Sequence, residues 1–293
     1  MRYFLENDKL KVEIDSHGAE VKSVLNRQGM REYMWYGNAK YWGRTSPVLF
    51  PFVGSVRDKK YRVDGQEYNM GQHGFARDFE HTLVEQTEDY IEFEFKSSEE
   101  TLQRYPYEFI LNISYRLAGN ELTVGWKVTN PATKDMYFQI GAHPAFLCPI
   151  HGEGSKDGYK LYFEGVDQIH HHGNDVPTGM AKPYEDIVLP LMDNRVTISD
   201  EFFDRCTYFI PNHQTGCVGL EDPSGSRIVT LKFDTPIFAI WSPEGKKAPF
   251  VCIEPWFGRC DAEGFAGDIS ERDYENRLGS DGVFENEYSI IFS

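Results

Sequence analysis

FILNISYRLAGNELTVGWKV, residues 109–128, is the stretch whose periodicity decides the fold. Phe109, Leu111, Ile113, Tyr115 and Leu117 place apolar side chains at every second position, and Leu122, Val124, Trp126 and Val128 do the same. A strand sends successive side chains to opposite faces, so each run has one apolar and one polar face; the helical period of about 3.6 fits neither run. LAGNE, residues 117–121, joins them with Gly119-Asn120, residues that tolerate positive φ, and so reads as a tight hairpin.

The same alternation recurs outward in both directions. Leu10, Val12 and Ile14 show it near the start, Ile91, Phe93 and Phe95 just before the hairpin, and Val229, Leu231 and Phe233, then Tyr288, Ile290 and Phe292, toward the end. Aromatic residues make up 15% of the chain, with 21 Phe, 17 Tyr and 5 Trp, and aromatic side chains favour strands. Helical signals are few: Ser97 with Glu100 as a capping box, and SDEFFDR from Ser199, each long enough for a short turn of helix. The Gly, Asp and His-rich stretch from His151 to Asp175 reads as a long surface loop. With no repeat and no Pro/Ser-rich linker, the expectation is an all-β, mainly antiparallel fold in a single domain over 1–293, with both ends of the chain in sheet.

Composition narrows the function classes. Asp and Glu outnumber Lys and Arg by 46 to 30, and the resulting net charge of −16 repels phosphate backbones and anionic membranes. An anionic ligand would need a local cluster such as Arg44, Arg57 and Arg77. The 5 cysteines are odd in number and form no CxxC pair, which suits reduced thiols in the cytoplasm. The opening MRYFLENDKLKVEI has no apolar core of a signal peptide, and no apolar run reaches membrane-spanning length. Nucleic acid and membrane are therefore not expected partners.

Three short stretches set a titratable side chain among glycine, proline and aromatic residues: GQHGFARD around His73, GAHPAF around His143 and CIEPWFG around Glu254. His73 reads either as a ligand-binding group or as a turn histidine bonded to its own loop, and His143 either as an acid or as a packed histidine at a strand end. Glu254 shares a strand face with Phe250 and Cys252, a face that should be core, and Pro255 after it should end the strand. Burial raises a carboxyl's pKa and makes it a usable general base. The run His170–His172 sends adjacent side chains in opposite directions and lacks a partner at ligand spacing, so no metal site is expected there or elsewhere. GxSxG, P-loop, GxGxxG and HExxH motifs do not occur.

The order SPVLFPFVGSVRD, QHGFARD, RYPYEFILNISYRL, GAHPAF, FDTPIFAIWSPEG and CIEPWFG resembles the aldose 1-epimerase (galactose mutarotase-like) family, especially its bacterial branch near the hexose-6-phosphate mutarotases. The resemblance runs from about Leu10 to the end of the chain. It implies a β-supersandwich and a cofactor-free interconversion of the α and β anomers of an aldose, in a monomer or homodimer. Carried over motif by motif, it implies His143 as general acid, Glu254 as general base and His73 as a sugar ligand near the ring oxygen. Arg77 and Arg57 would grip the ligand; Phe75, Trp241 or Trp256 would stack on the pyranose; and Asp234 of FDTP is the candidate for sugar hydroxyls. The asparagine-rich signature of the galactose enzymes is replaced by Gly71-Gln72, which leaves the sugar open. Two other readings stay in play: a hexose-6-phosphate 1-epimerase, and a non-catalytic sugar-binding module on the same scaffold.

Overall fold

A computed structural model describes residues 1–175 and 177–293. Its strands pair antiparallel throughout and assemble chiefly into a nine-stranded, a six-stranded and a four-stranded sheet, as the all-β expectation requires. The hairpin decides as expected. Ile110–Ala118 pairs with Glu121–Thr129 through the Ala118 to Glu121 register, and only Gly119 takes a positive φ (+59°), the glycine-first pattern of a type II′ turn. Every apolar residue of the alternating sets is buried. Both ends of the chain lie in sheet: Arg2–Glu6 edges the four-stranded sheet, and Val283–Phe292 runs between Glu121–Thr129 and Arg227–Phe233 inside the nine-stranded one.

Three local expectations are corrected, and one is met. The short helix Glu99–Leu102 is capped by Ser98 with Thr101, one residue later than the predicted box, because the Thr101 hydroxyl takes the return bond to the Ser98 amide at 2.8 Å. The helical turn expected from Ser199 forms as the 3-10 turn Asp200–Phe203. The stretch expected as a loop from His151 to Asp175 contains the strands Lys160–Phe163, Gln168–His171 and Asn174–Asp175; its polar residues had masked short strands. Pro255 does not end its strand, which continues to Phe257. The reason is a break in the neighbouring ladder: on that side Cys252 pairs with Ala145 and Trp256 with Gly141, leaving Pro255 where no partner amide is required.

The six-stranded sheet carries Tyr208–Pro211, Ile237–Trp241, Phe250–Phe257, Ile140–Ala142 and Val48–Leu49 in that order, with Ala145–Leu147 also pairing with Phe250–Phe257. Val251 and Ile253 point into the main core with Phe238 and Ile240. On the opposite face, Phe250 and Cys252 join Trp35, Ala145, Leu147 and Ala248, while Trp256 joins Ala239, Ile237 and Cys260. Glu254 falls between these two apolar clusters, opposite the small Ala239.

Candidate active site

A cavity of about 340 Å³ opens over this face of the six-stranded sheet and gathers His73, His143, Glu254, Arg77, Arg44, Trp42, Trp241 and Trp256 from segments distant in sequence. Gly74 explains how His73 gets there. At φ +68° it lies against Phe50, where a Cβ would collide with the Phe50 carbonyl, and the bridge between Phe50 and Gly74 docks the loop onto the strand Val48–Leu49. His73 itself takes φ +63°, and its ring Nδ1 accepts the Gly54 amide at 3.0 Å. An accepting Nδ1 puts the ring proton on Nε2, so His73 serves as a neutral donor. Burial, reinforced by the charge of Arg77 and by His143, holds its pKa well below the usual histidine value.

His143 sits in the break between Ile140–Ala142 and Ala145–Leu147, beside the part of the long strand that has no partner there. Its Nε2 is 3.2 Å from Glu254 Oε2, an ion-pair distance without hydrogen-bond alignment, and both Glu254 Oε2 and His143 Nδ1 are buried with no hydrogen-bond partner. Trp42 stacks on the imidazole at 4.5 Å between ring centres, and Trp241 meets it edge-on at 5.3 Å. Burial pushes Glu254 well above the usual carboxylate range and, with the charge of Arg77, pushes His143 down to about 3. Both shifts run toward the uncharged form, because burial penalises charge.

Two guanidinium groups reach the cavity. Arg44 pairs with Asp78 at 2.6 Å, and Arg77 lies 4.0 Å from the same carboxylate while donating to the Gln72 carbonyl at 2.5 Å. Burial, followed by the charge of Arg44, lowers Arg77 to about 10, so it stays cationic at neutral pH. The carboxylates of Asp78 and Glu20 both act on Arg77 from this side.

The remaining sequence candidates lie elsewhere. Phe75 is only 2% exposed and packs in the core against Phe79, Phe95, Tyr105 and Phe109, so it supports the loop and presents no face to a sugar. The Asp234 side chain is 93% exposed and faces His213 at 3.7 Å, on a surface away from the cavity. Arg57 borders a neighbouring hollow, where its guanidinium donates to the Phe265 carbonyl at 3.2 Å. Its backbone amide, however, donates to Asp261 at 2.8 Å, and the Asp261 amide donates to the Ser55 carbonyl at 3.0 Å, which braces the segment that holds His73. His170 to His172 are not a cluster: His170 pairs with Asp186 and His172 with the Glu185 carbonyl.

Several lining residues escaped the sequence reading. Trp42 stands two positions before Arg44 in a segment without periodicity, and Asn174, Thr207, Phe209 and Glu244 line other walls. Asn174 accepts the Thr207 amide at 2.9 Å, a tie between distant segments that spacing could not disclose.

This site sits in a chain that belongs to the aldose 1-epimerase family: residues 1–263 match the family model described as aldose 1-epimerase, a span that includes every group named at the cavity. Among curated proteins it is 31% identical over 264 residues to the chromosomal protein LacX of Lactococcus lactis subsp. lactis, covering 87% of each chain. Among solved structures it resembles a galactose mutarotase related enzyme from Lactobacillus acidophilus, at 31% identity and a TM-score of 0.94, over 100% of this chain and 97% of the other. A galactose mutarotase-like protein from Lactobacillus casei ATCC 334 matches at 30% identity and a TM-score of 0.92 over 100% of both. The family supports a sugar epimerase or mutarotase activity with a small sugar as substrate.

Proposed function

We propose that the protein interconverts the α and β anomers of an aldohexose by opening and closing its ring, with Glu254 as general base and His143 as general acid. The observation that carries this reading is the 3.2 Å separation of two buried groups of opposite proton preference at the floor of the cavity. The anomeric hydroxyl and the ring oxygen are bonded to one carbon, so an acid and a base held this close address both.

Proton counting supports the pairing. Ring opening needs a carboxylate to take the anomeric proton and an imidazolium to protonate the ring oxygen. That state carries the same number of protons as a carboxylic acid beside a neutral imidazole, and differs from it only by transfer of one proton from Glu254 to His143. As the bond from C1 to the ring oxygen breaks and the carbonyl forms, the proton from the hydroxyl goes to Glu254 and that of His143 to the ring oxygen. The pair thereby returns to its neutral form, which burial favours. Rotation about C1–C2 and reversal of both transfers close the ring to the other anomer. His73 Nε2, Arg44 and Arg77 donate to hydroxyls, and Trp42, Trp241 and Trp256 supply apolar walls.

The two guanidinium groups of Arg44 and Arg77 at the cavity favour a second reading, a sugar phosphate, with Arg57 outside the clamp. The test is the anomeric relaxation of glucose, galactose and their 6-phosphates, followed by polarimetry or NMR. Acceleration of the free sugars supports the first reading, and acceleration of only the phosphates supports the second. Binding without acceleration would make the protein a sugar-binding module. The whole chain acts as one unit in this proposal, since the cavity draws on residues from Trp42 to Cys260. The cysteines are all buried and free, which suits a cytoplasmic location.

A further inference from the structure

Cys252 has no part in the reaction proposed above, yet it lies directly beside the acid/base pair. It stands two residues before Glu254 on the same strand, so both side chains leave one face, and it is buried among Trp35, Ala145 and Phe250. One donor atom each from His143, Cys252 and Glu254 lies within 4.8 Å of the other two. Among the described residues no other group of metal-binding side chains converges in this way.

We infer that His143, Cys252 and Glu254 form a zinc site that switches the enzyme off. A nitrogen, a thiolate and a carboxylate suit zinc, whose bonds of about 2.0–2.3 Å place tetrahedral donors roughly 3.3–3.8 Å apart. His143 and Glu254 already stand at 3.2 Å, and the third donor lies within 4.8 Å of both. The buried, unpartnered Oε2 of Glu254 is a donor aimed at the site without a competing bond. His143 and Glu254 line the cavity, from which water or a sugar hydroxyl would complete the tetrahedron.

Charge also fits. Zinc with one thiolate, one carboxylate and a neutral imidazole is electrically neutral, so burial, which penalises either anion alone, does not penalise the complex. Coordination releases a proton from the Cys252 thiol and one from the Glu254 carboxyl to solvent. The net charge of −16 concentrates cations near the surface. His143 Nδ1 lacks the second hydrogen bond that tightly held zinc histidines make, which points to reversible inhibition in place of a structural ion. Bound metal takes up both the base and the acid, so ring opening stops. The inhibition rests on the mechanism proposed above, whereas metal binding does not.

The experiment titrates zinc chloride into the whole chain by calorimetry, with anomeric relaxation measured in parallel, and repeats the titration with cobalt(II) followed by absorption. The expected result is one zinc per chain, loss of relaxation that EDTA restores, and a thiolate-to-cobalt charge-transfer band in the near ultraviolet. Cys252→Ser should keep the basal relaxation rate, lose the cobalt band and bind zinc more weakly by roughly a hundredfold, at least the loss seen when an outer-shell partner is removed. Cys260→Ser, which alters a thiol on the cavity wall outside the trio, should keep the band. Persistence of the band or of unchanged zinc affinity in Cys252→Ser overturns the site, as does failure of the wild-type chain to bind zinc. A Cys252-dependent band in a protein that relaxes no sugar would uphold the metal site and remove the mutarotase reading.

Discussion

The nine-stranded and the six-stranded sheets of this protein obey different rules. In the former, Ile110–Ala118 and Glu121–Thr129 alternate buried and accessible residues, because one face meets the core and the other meets solvent. In the latter, Phe250–Phe257 is buried at every position up to Trp256, and Ile237–Trp241 up to Ile240, because the sheet is covered on both faces. Glu221, the buried carboxylate of the nine-stranded sheet, is paired with Arg195 and Arg227, whereas Glu254 in the doubly covered sheet is buried beside His143 with no arginine partner. The nine-stranded sheet thus neutralises its buried carboxylate with arginines, while the six-stranded sheet leaves Glu254 open to the cavity.

The largest effect that could break this division is on stability. Phe93, fully buried in the nine-stranded sheet and edge-on to Tyr3, should cost about 3–5 kcal/mol as Phe93→Ala, read from urea unfolding. The turnover of the molecules that remain folded should not change. A large fall in their turnover would mean that the two sheets are not separable.

Glu254→Gln should act in the opposite sense. Turnover should fall roughly a hundredfold or more, about 2.7 kcal/mol in the barrier, with affinity much less affected. Stability at neutral pH should rise. Since the folded pKa of Glu254 is raised, its contribution is fully present below the unfolded pKa and is lost as pH climbs toward the folded value; glutamine removes that loss. His143 works on the acid side: with a folded value of about 3 against an ordinary 6.5, it makes wild type lose stability as pH falls through that interval. His143→Asn should flatten this part of the profile while lowering turnover about as much as Glu254→Gln. Urea unfolding at pH 4 and pH 7 checks both signs, and a Glu254→Gln protein with wild-type turnover would remove the base assignment.

Smaller effects sharpen the boundary of the site. Arg77→Ala removes a donor on the cavity wall and should raise KM by roughly tenfold or more, the effect of losing a charge-assisted hydrogen bond. Arg57→Ala should do less, since its guanidinium faces the neighbouring hollow. Asp234→Ala should change neither kinetics nor stability by more than about 0.5 kcal/mol, because the side chain is solvated. A strong kinetic defect in the last variant would mean that the sugar reaches well beyond the cavity.

The sequence by itself determined the strands that face solvent on one side, since alternation at every second residue survives wherever one face is wet. It also marked His73, His143 and Glu254, because glycine, proline and aromatic neighbours isolate them from any periodic run. The tertiary structure alone decided which candidates meet. Phe75 and Asp234 carry the same local signals as Trp241, yet one turns into the core and the other into solvent. Trp42, Asn174 and Thr207 enter the cavity from segments with no signal of their own. The doubly buried strands had no alternation to read, and Pro255 looked like a strand end because the gap opposite it is a property of the neighbouring strands. Proton affinity was likewise invisible until folding set Glu254 between two apolar clusters and beside His143, since desolvation depends on what surrounds a group in space and not on its neighbours along the chain.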